Sequence, residues 1–166
     1  MIKPDKKLSN TRLVAFDVDG VFTDGRFYLS DEGVESKAFS TQDGYGIRQL
    51  LKADIDVAII SGRKSRAVEI RMRELGVEHV NLGCSDKMAV YDELVKKLEV
   101  TADQTVYVGD DIPDLPLLTK VGYSVAVANA VRAVREYCDY TTELSGGHGA
   151  VREVCELVLA SREIDK

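Results

Sequence analysis

Residues 12–25 read Arg-Leu-Val-Ala-Phe-Asp-Val-Asp-Gly-Val-Phe-Thr-Asp-Gly, and the fold is decided by how they are read. Leu13, Val14, Ala15 and Phe16 form a short continuous apolar run. Such a run suits a parallel strand buried on both faces. It stops at Asp17-Val18-Asp19-Gly20. Two carboxylates two residues apart on an extended segment point to the same side, and the glycine lets the backbone turn sharply. Open α/β sheets place their chemistry at such carboxyl ends of buried strands. Taken alone, Asp-x-Asp-Gly is also ordinary turn chemistry. A calcium loop begun at Asp17 needs a glutamate at its twelfth position; Tyr28 stands there, so that reading fails.

The chain of 166 residues is expected to form one domain, residues 1–166. A chain of this length buries about 70% of its unfolded surface and needs no disulfide or metal for stability. The net charge of −6 argues against a nucleic-acid partner. Cys84, Cys138 and Cys155 are an odd, scattered set without a Cys-x-x-Cys pair. They read as small hydrophobes in a reducing compartment. The opening Met-Ile-Lys-Pro-Asp-Lys-Lys lacks the apolar core of a signal peptide, and no apolar run approaches membrane-spanning length. The expectation is a cytoplasmic chain with no membrane attachment.

Beyond the acidic turn, residues 26–39 predict a β-hairpin turned by Gly33. Phe27, Tyr28, Leu29 and Phe39 make it unusually apolar, which suits either a subunit contact or packing on its own domain. A helix opens near residues 40–46, with Thr41 or Asp43 as its cap. Its Gly44-x-Gly46 pair lacks the third glycine of a dinucleotide fingerprint, Gln49 standing there, and no Walker A sequence is present. Further strands are predicted at 57–60, 79–82, 105–108, 123–127 and 140–142. Helices are predicted at 65–75, 88–98, 115–120, 131–137 and from 151 to about 162, with Asp86 capping the second of these. This alternation predicts an α/β fold with a mainly parallel sheet and no insertion large enough for a lid domain.

Polar groups gather at the strand ends: Asp17 and Asp19, Ser61, Lys87, and Asp110, Asp111 and Asp114. In a parallel sheet these ends share one edge. Converging acids repel unless a cation sits among them, and an all-oxygen set favours magnesium. Magnesium, a lysine and a small hydroxyl together suit a phosphoryl group. On these residues the sequence resembles the haloacid-dehalogenase-like phosphohydrolases, whose four motifs occur in order as Asp17-x-Asp19, Ser61, Lys87 and Gly109-Asp110-Asp111-x-x-Asp114. The resemblance implies a Rossmann-like three-layer sandwich and assigns Asp17 as nucleophile and Asp19 as general acid and base. It further implies a magnesium ion on Asp17, the backbone oxygen of Asp19 and Asp110. Ser61 and Lys87 would bind phosphoryl oxygens, and Asp111 and Asp114 would support the metal and Lys87. True dehalogenases lack the second acid of the first motif, so Asp19 favours phosphate over halide.

A closer resemblance covers nearly all the chain beyond residue 12. The segments 17–25, 43–48, 60–64, 109–111 and 146–153 are similar to those of the capless 3-deoxy-D-manno-octulosonate 8-phosphate phosphatases of lipopolysaccharide biosynthesis. Members of that family form homotetramers. Residues 26–39 would supply the central contacts, and the glycine-rich tail from 145 would close on a neighbour's active site. By position Asp19, Ser40, Thr41, Gln42, Asp43, Gly44, Arg48, Arg63, Arg71, Lys87 and Asp111 would line the substrate pocket. Two arginines suit a substrate with both carboxylate and phosphate. Ser61 replaces the family's usual threonine and keeps the hydroxyl, Phe22 replaces a commoner leucine, and His148 lies within the tail. A phosphatase for nine-carbon sugar acid phosphates is the nearest alternative, but such relatives tend to carry an acid where Arg63 stands. A catalytically idle scaffold is disfavoured by the intact acids and Lys87. A receiver domain would order its acids and lysine differently.

Overall fold

A computed structural model describes residues 3–162. The apolar run becomes strand β1 (Leu13–Phe16), with all four residues fully buried. It lies inside a six-stranded sheet with β4 (Asp56–Ser61), β5 (His79–Leu82), β6 (Thr105–Gly109), β7 (Tyr123–Ala126) and β8 (Tyr140–Thr141), ordered β5-β4-β1-β6-β7-β8. Every pairing in it is parallel, and Phe16 lies opposite Ile59 on one side and Val108 on the other. The chain builds outward from β1 to β4 and β5, then returns to the other side of β1 with β6. That reversal makes the crevice between the ends of β1 and β6 the switch point of the sheet.

Right-handed crossovers fix the layers. Helices α1 (Thr41–Lys52) and α2 (Arg66–Leu75) follow strands stepping one way across the sheet, so they cover one face. Helices α3 (Lys87–Leu98) and α4 (Leu115–Leu118) follow the opposite progression and cover the other. The short α5 (Arg132–Arg135) packs on β7, and α6 (Ala150–Arg162) packs along α1, completing three layers. No described helix is long and apolar enough to cross a membrane.

Local chemistry accounts for the element ends. Ser40, rather than Thr41 or Asp43, caps α1, its side chain accepting from the Asp43 amide. Asp43 is unavailable because its own carboxylate is buried and accepts from the Arg152 amide of α6 at 2.9 Å. The two glycines of this helix serve packing: a Cβ at Gly46 would meet Cys155 and Arg152 at 3.1 Å, and one at Gly44 would run into Arg71. Asp86 caps α3 as expected, and Gly76 ends α2 in the left-handed region. Cys155 is buried, whereas Cys84 and Cys138 are half-buried, and all three are free.

The hairpin is real but shorter than its apolar run: β2 (Tyr28–Leu29) pairs antiparallel with β3 (Glu35–Ser36). Tyr28, Leu29 and Val34 stand 62% to 73% exposed, while one face of the Phe27 ring is covered by the Arg63 guanidinium at 4.3 Å. The glycine-rich tail lies against its own chain instead of standing free. Gly147 donates to the Val21 carbonyl, and a Cβ at Gly146 would collide with the Gly20 carbonyl. Asn129 ties the two segments, accepting from the Gly146 amide at 2.6 Å and donating to the Gly20 carbonyl at 3.2 Å. Behind them the buried Glu153 accepts from Tyr140 Oη and from the amides of Glu143 and Leu144.

Candidate active site

The switch-point crevice is an open cleft of about 310 Å³ lined by Asp17, Asp19, Ser61, Arg63, Lys87 and the Asp110–Asp114 turn. A larger groove of about 540 Å³ runs along α2 and β5, but its lining brings no comparable carboxylate cluster together. Four separate strand ends meet in the crevice because the parallel sheet points them all to one edge.

Asp17 follows β1 and is 8% exposed. Its Oδ1 lies 3.1 Å from Lys87 Nζ as an ion pair, yet without the alignment of a hydrogen bond. Burial, and then the nearby Asp114, raises its pKa to about 6 in spite of Lys87. Asp110, at the end of β6, rises to about 7 through burial and then the carboxylates of Asp17, Asp114 and Asp111. Carboxylate oxygens of Asp17, Asp110 and Asp114 all fall within 4.8 Å of one another. An all-oxygen donor set with a buried, unbonded oxygen is what a hard divalent cation satisfies, so these residues fit magnesium. Gly20 makes the space: it sits at φ +88°, and a Cβ there would stand 2.5 Å from Asp110 Cγ.

Asp114 is fully engaged by protein donors. Its Oδ1 accepts from Lys87 Nζ and Tyr107 Oη, each at 2.7 Å, and its Oδ2 accepts from the amides of Asp110 and Asp111. That leaves Asp17 and Asp110 as the acids free to take a cation, with Asp114 orienting Lys87 and the turn. A Cβ at Gly109 would lie 2.6 Å from Asp114 Cβ, so only glycine lets this carboxylate lie against the strand end. Burial alone would lower the Lys87 pKa, but Asp17 and Asp114 outweigh it and leave the ammonium above its ordinary value. Burial, followed by the charge of Asp114, drives the Tyr107 phenol well above its usual range, so it remains a donor.

Ser61 ends β4 and is buried at the cleft, its Oγ accepting from the Arg63 amide at 3.5 Å. Asp19 faces two cations: Lys37 of the hairpin pairs with its Oδ1, and Arg63 Nε lies 3.6 Å from its Oδ2. Asp111 lines the cleft while its Oδ1 accepts from the Ile112 amide at 2.7 Å. Thr23 Oγ1 accepts from the amides of Gly20 and Gly25 and holds the loop that carries Asp19.

The other residues named from the sequence lie along α1 and α2 and do not line this cleft. Arg48 donates to the Glu74 carbonyl at 3.1 Å, and Arg71 pairs with Glu74 at 2.8 Å above Gly44. Ser40 serves as the cap of α1, Thr41 is exposed, and Gln42 faces a separate groove shared with Tyr140, Leu144 and Arg152. Asp43 is bound to α6, and burial raises its pKa. His148 is exposed on the tail. Sequence reasoning missed Lys37, Glu35, Tyr107 and Asn129. Tyr107 reads as one more apolar residue of a buried strand, and the spacing of Glu35 and Lys37 on one face of an extended segment was the available signal for those two.

A family profile described as haloacid dehalogenase-like hydrolase matches residues 79–154. The 3-deoxy-D-manno-octulosonate 8-phosphate phosphatase KdsC of Escherichia coli (strain K12) is 48% identical over 156 residues, 94% of this chain and 83% of that protein. The crystal structure of the corresponding phosphatase from Yersinia pestis superposes with a TM-score of 0.94 at 46% identity, covering 95% of this chain and 85% of that one. The Moraxella catarrhalis phosphatase, solved with magnesium ion, phosphate ion and a KDO molecule, gives 0.93 at 42% identity, covering 95% and 91%. With its acids, serine and lysine converging at one switch point and this likeness running almost end to end, the chain belongs to the 3-deoxy-D-manno-octulosonate 8-phosphate phosphatases of the haloacid dehalogenase-like hydrolases.

Proposed function

We propose that this protein, as one catalytic unit, hydrolyses 3-deoxy-D-manno-octulosonate 8-phosphate to the free sugar acid and phosphate in lipopolysaccharide biosynthesis, with magnesium as cofactor. The observation that carries the chemistry is the buried Asp17 carboxylate flanked by Lys87 and Asp110 at the switch point. The substrate assignment rests on near full-length similarity to phosphatases of that name.

Asp17 is the nucleophile. One of its carboxylate oxygens bonds to phosphorus as the bond from phosphorus to the sugar oxygen breaks. Asp19 gives a proton to that oxygen, and the sugar leaves as an alcohol. A water oxygen then bonds to phosphorus of the aspartyl-phosphate while Asp19 takes the water's proton. The bond between Asp17 and phosphorus breaks, its electron pair returns to the carboxylate, and inorganic phosphate departs. The Ser61 hydroxyl and the Lys87 ammonium bind the phosphoryl oxygens, and Asp114 keeps Lys87 aimed at them. Magnesium held by Asp17, the Asp19 backbone oxygen and Asp110 supplies neutralisation of the phosphoryl charge.

The same reading makes the protein a cytoplasmic homotetramer, supported by three free cysteines and by the exposed Tyr28, Leu29 and Val34 of the hairpin. The family resemblance also carries Ser40, Thr41, Gln42, Asp43, Gly44, Arg48 and Arg71 as substrate-binding, although they lie outside the cleft of their own chain. Arg63 and Asp111 act within it. The test is magnesium-dependent phosphate release from eight-carbon and nine-carbon keto-sugar acid phosphates side by side. Higher kcat/KM for the eight-carbon ester is the expected result. Preference for the nine-carbon ester would reassign the substrate, and no release from any phosphate would leave a scaffold.

A further inference from the structure

Lys37 lies at the root of the hairpin, and its side chain is fully buried although the segment itself reaches the surface. A buried ammonium needs a partner. Its Nζ pairs with Asp19 Oδ1 and lies 3.8 Å from Glu35 Oε1. Glu35 is itself held: Ser65 Oγ, at the start of α2, donates to its Oε1 at 2.5 Å, and Arg63 Nη1 lies 3.6 Å from its Oε2. Arg63 completes the ring through Asp19 Oδ2 at 3.6 Å. The ring alternates in charge, Asp19, Lys37, Glu35, Arg63, and joins the hairpin to the end of β4 and to the loop after β1.

The two cations in it are not equivalent. Arg63 lines the cleft, its side chain 45% exposed and its guanidinium stacked on Phe27. Lys37 is enclosed, and among the described residues its ion-pair partners are Asp19 and Glu35. A flexible lysine confined in this way fixes the carboxylate it touches.

We propose that Lys37 is a positioning residue for Asp19: from the hairpin it holds the carboxylate turned toward the bond between phosphorus and the leaving oxygen. This rests on the phosphatase reading above. A proton donor pre-set in one orientation avoids reorganisation when substrate arrives. The effect must therefore depend on how much the leaving group needs a proton. A sugar alkoxide needs one; para-nitrophenolate and acetate do not.

The experiment compares wild type, Lys37→Met and Lys37→Gln on the eight-carbon sugar phosphate and on an activated phosphate, para-nitrophenyl or acetyl phosphate, whichever wild type turns over faster. Both kcat/KM and kcat are measured, since kcat/KM reports formation of the aspartyl-phosphate. The expected result is a fall in kcat/KM at least ten times larger on the sugar phosphate than on the activated phosphate, with sugar-phosphate KM changed less than threefold. Melting and gel filtration accompany the kinetics. If Lys37→Met does not fold, Lys37→Gln, which keeps a donor near Asp19, carries the comparison. An equal fall on both substrates, a rise in KM alone, or no fall on either overturns the proposal. Absence of phosphate release by wild type from both substrates would instead overturn the phosphatase reading itself.

Discussion

Replacing Gly20 by alanine separates the cost of backbone strain from the loss of a metal site. Gly20 sits at φ +88°, where an L-residue costs about 1–2 kcal/mol. For a chain of this size that lowers Tm by roughly 2–8 °C. The added methyl would also occupy the place of the Asp110 carboxylate, 2.5 Å from its Cγ. That neighbour is a side chain able to rotate, so the clash is relieved by moving Asp110 and not by breaking the fold. The larger effect therefore falls on magnesium, whose half-saturating concentration should rise about 10–100-fold, the scale of disturbed metal surroundings. Gly33→Ala is the control, because Gly33 has φ +78° with open space around its would-be Cβ. It should show the same loss of Tm and an unchanged magnesium requirement. Magnesium titrations of phosphate release, with melting curves for both variants, test the argument. A Gly20→Ala protein whose magnesium midpoint stays within about twofold of wild type would refute it.

Asp17→Asn should fold and bind magnesium weakly, with turnover below about a thousandth of wild type, as for other lost covalent nucleophiles; substantial phosphate release would remove Asp17 from that role. Tyr107→Phe removes a buried hydrogen bond to the Asp114 carboxylate, and such charged bonds contribute about 1.5–3 kcal/mol. Tm should fall by roughly 3–12 °C, together with a lower kcat as Lys87 loosens. With pKa values of about 6 at Asp17 and about 7 at Asp110, against an ordinary value of 3.8, the metal-free folded state holds protons that the unfolded chain has released. Its stability therefore falls as pH rises from about 4 to 7, because the unfolded state binds fewer protons there. Magnesium competes with those protons, so its affinity rises over the same interval and offsets the decline. Melting curves in chelator and in excess magnesium should diverge as pH increases, and parallel curves would contradict this account.

The sheet and the acidic crevice were legible because their signals are local. Residues 13–16 are apolar on both faces, and each acid or lysine of the crevice lies within five residues of a strand's carboxyl end, so the parallel fold brings them to one edge. What the sequence concealed was which partner each group takes. Asp43 has the composition of a helix cap, but α6 claims its carboxylate and Ser40 caps instead. Asp114 reads as a support for the metal and for Lys87, and the sequence does not say that Tyr107 and two amides would join Lys87 in filling its oxygens. Lys37 reads as one of many surface lysines: its spacing from Glu35 puts the two on one face of an extended segment, but not over Asp19. Gly44 and Gly46 only half-match a dinucleotide fingerprint, and the structure gives them a different purpose: they are small because other helices lie close on them.

The order of strands also bears on how the chain is made. Strand β1 is synthesised before both of its neighbours: Leu13 pairs on one side with Asp56 and on the other with Thr105, about ninety residues later. At ribosomal rates of about 5–20 residues per second, the second edge of β1 stays unpaired for roughly 5–20 s. Through that interval an apolar strand edge is open to wrong partners, and Asp17 has neither its lysine nor its companion acid beside it. The nucleophile leaves the ribosome about ninety residues ahead of the strand that pairs with the second edge of β1, and it meets its companion acid only when that far half of the protein docks.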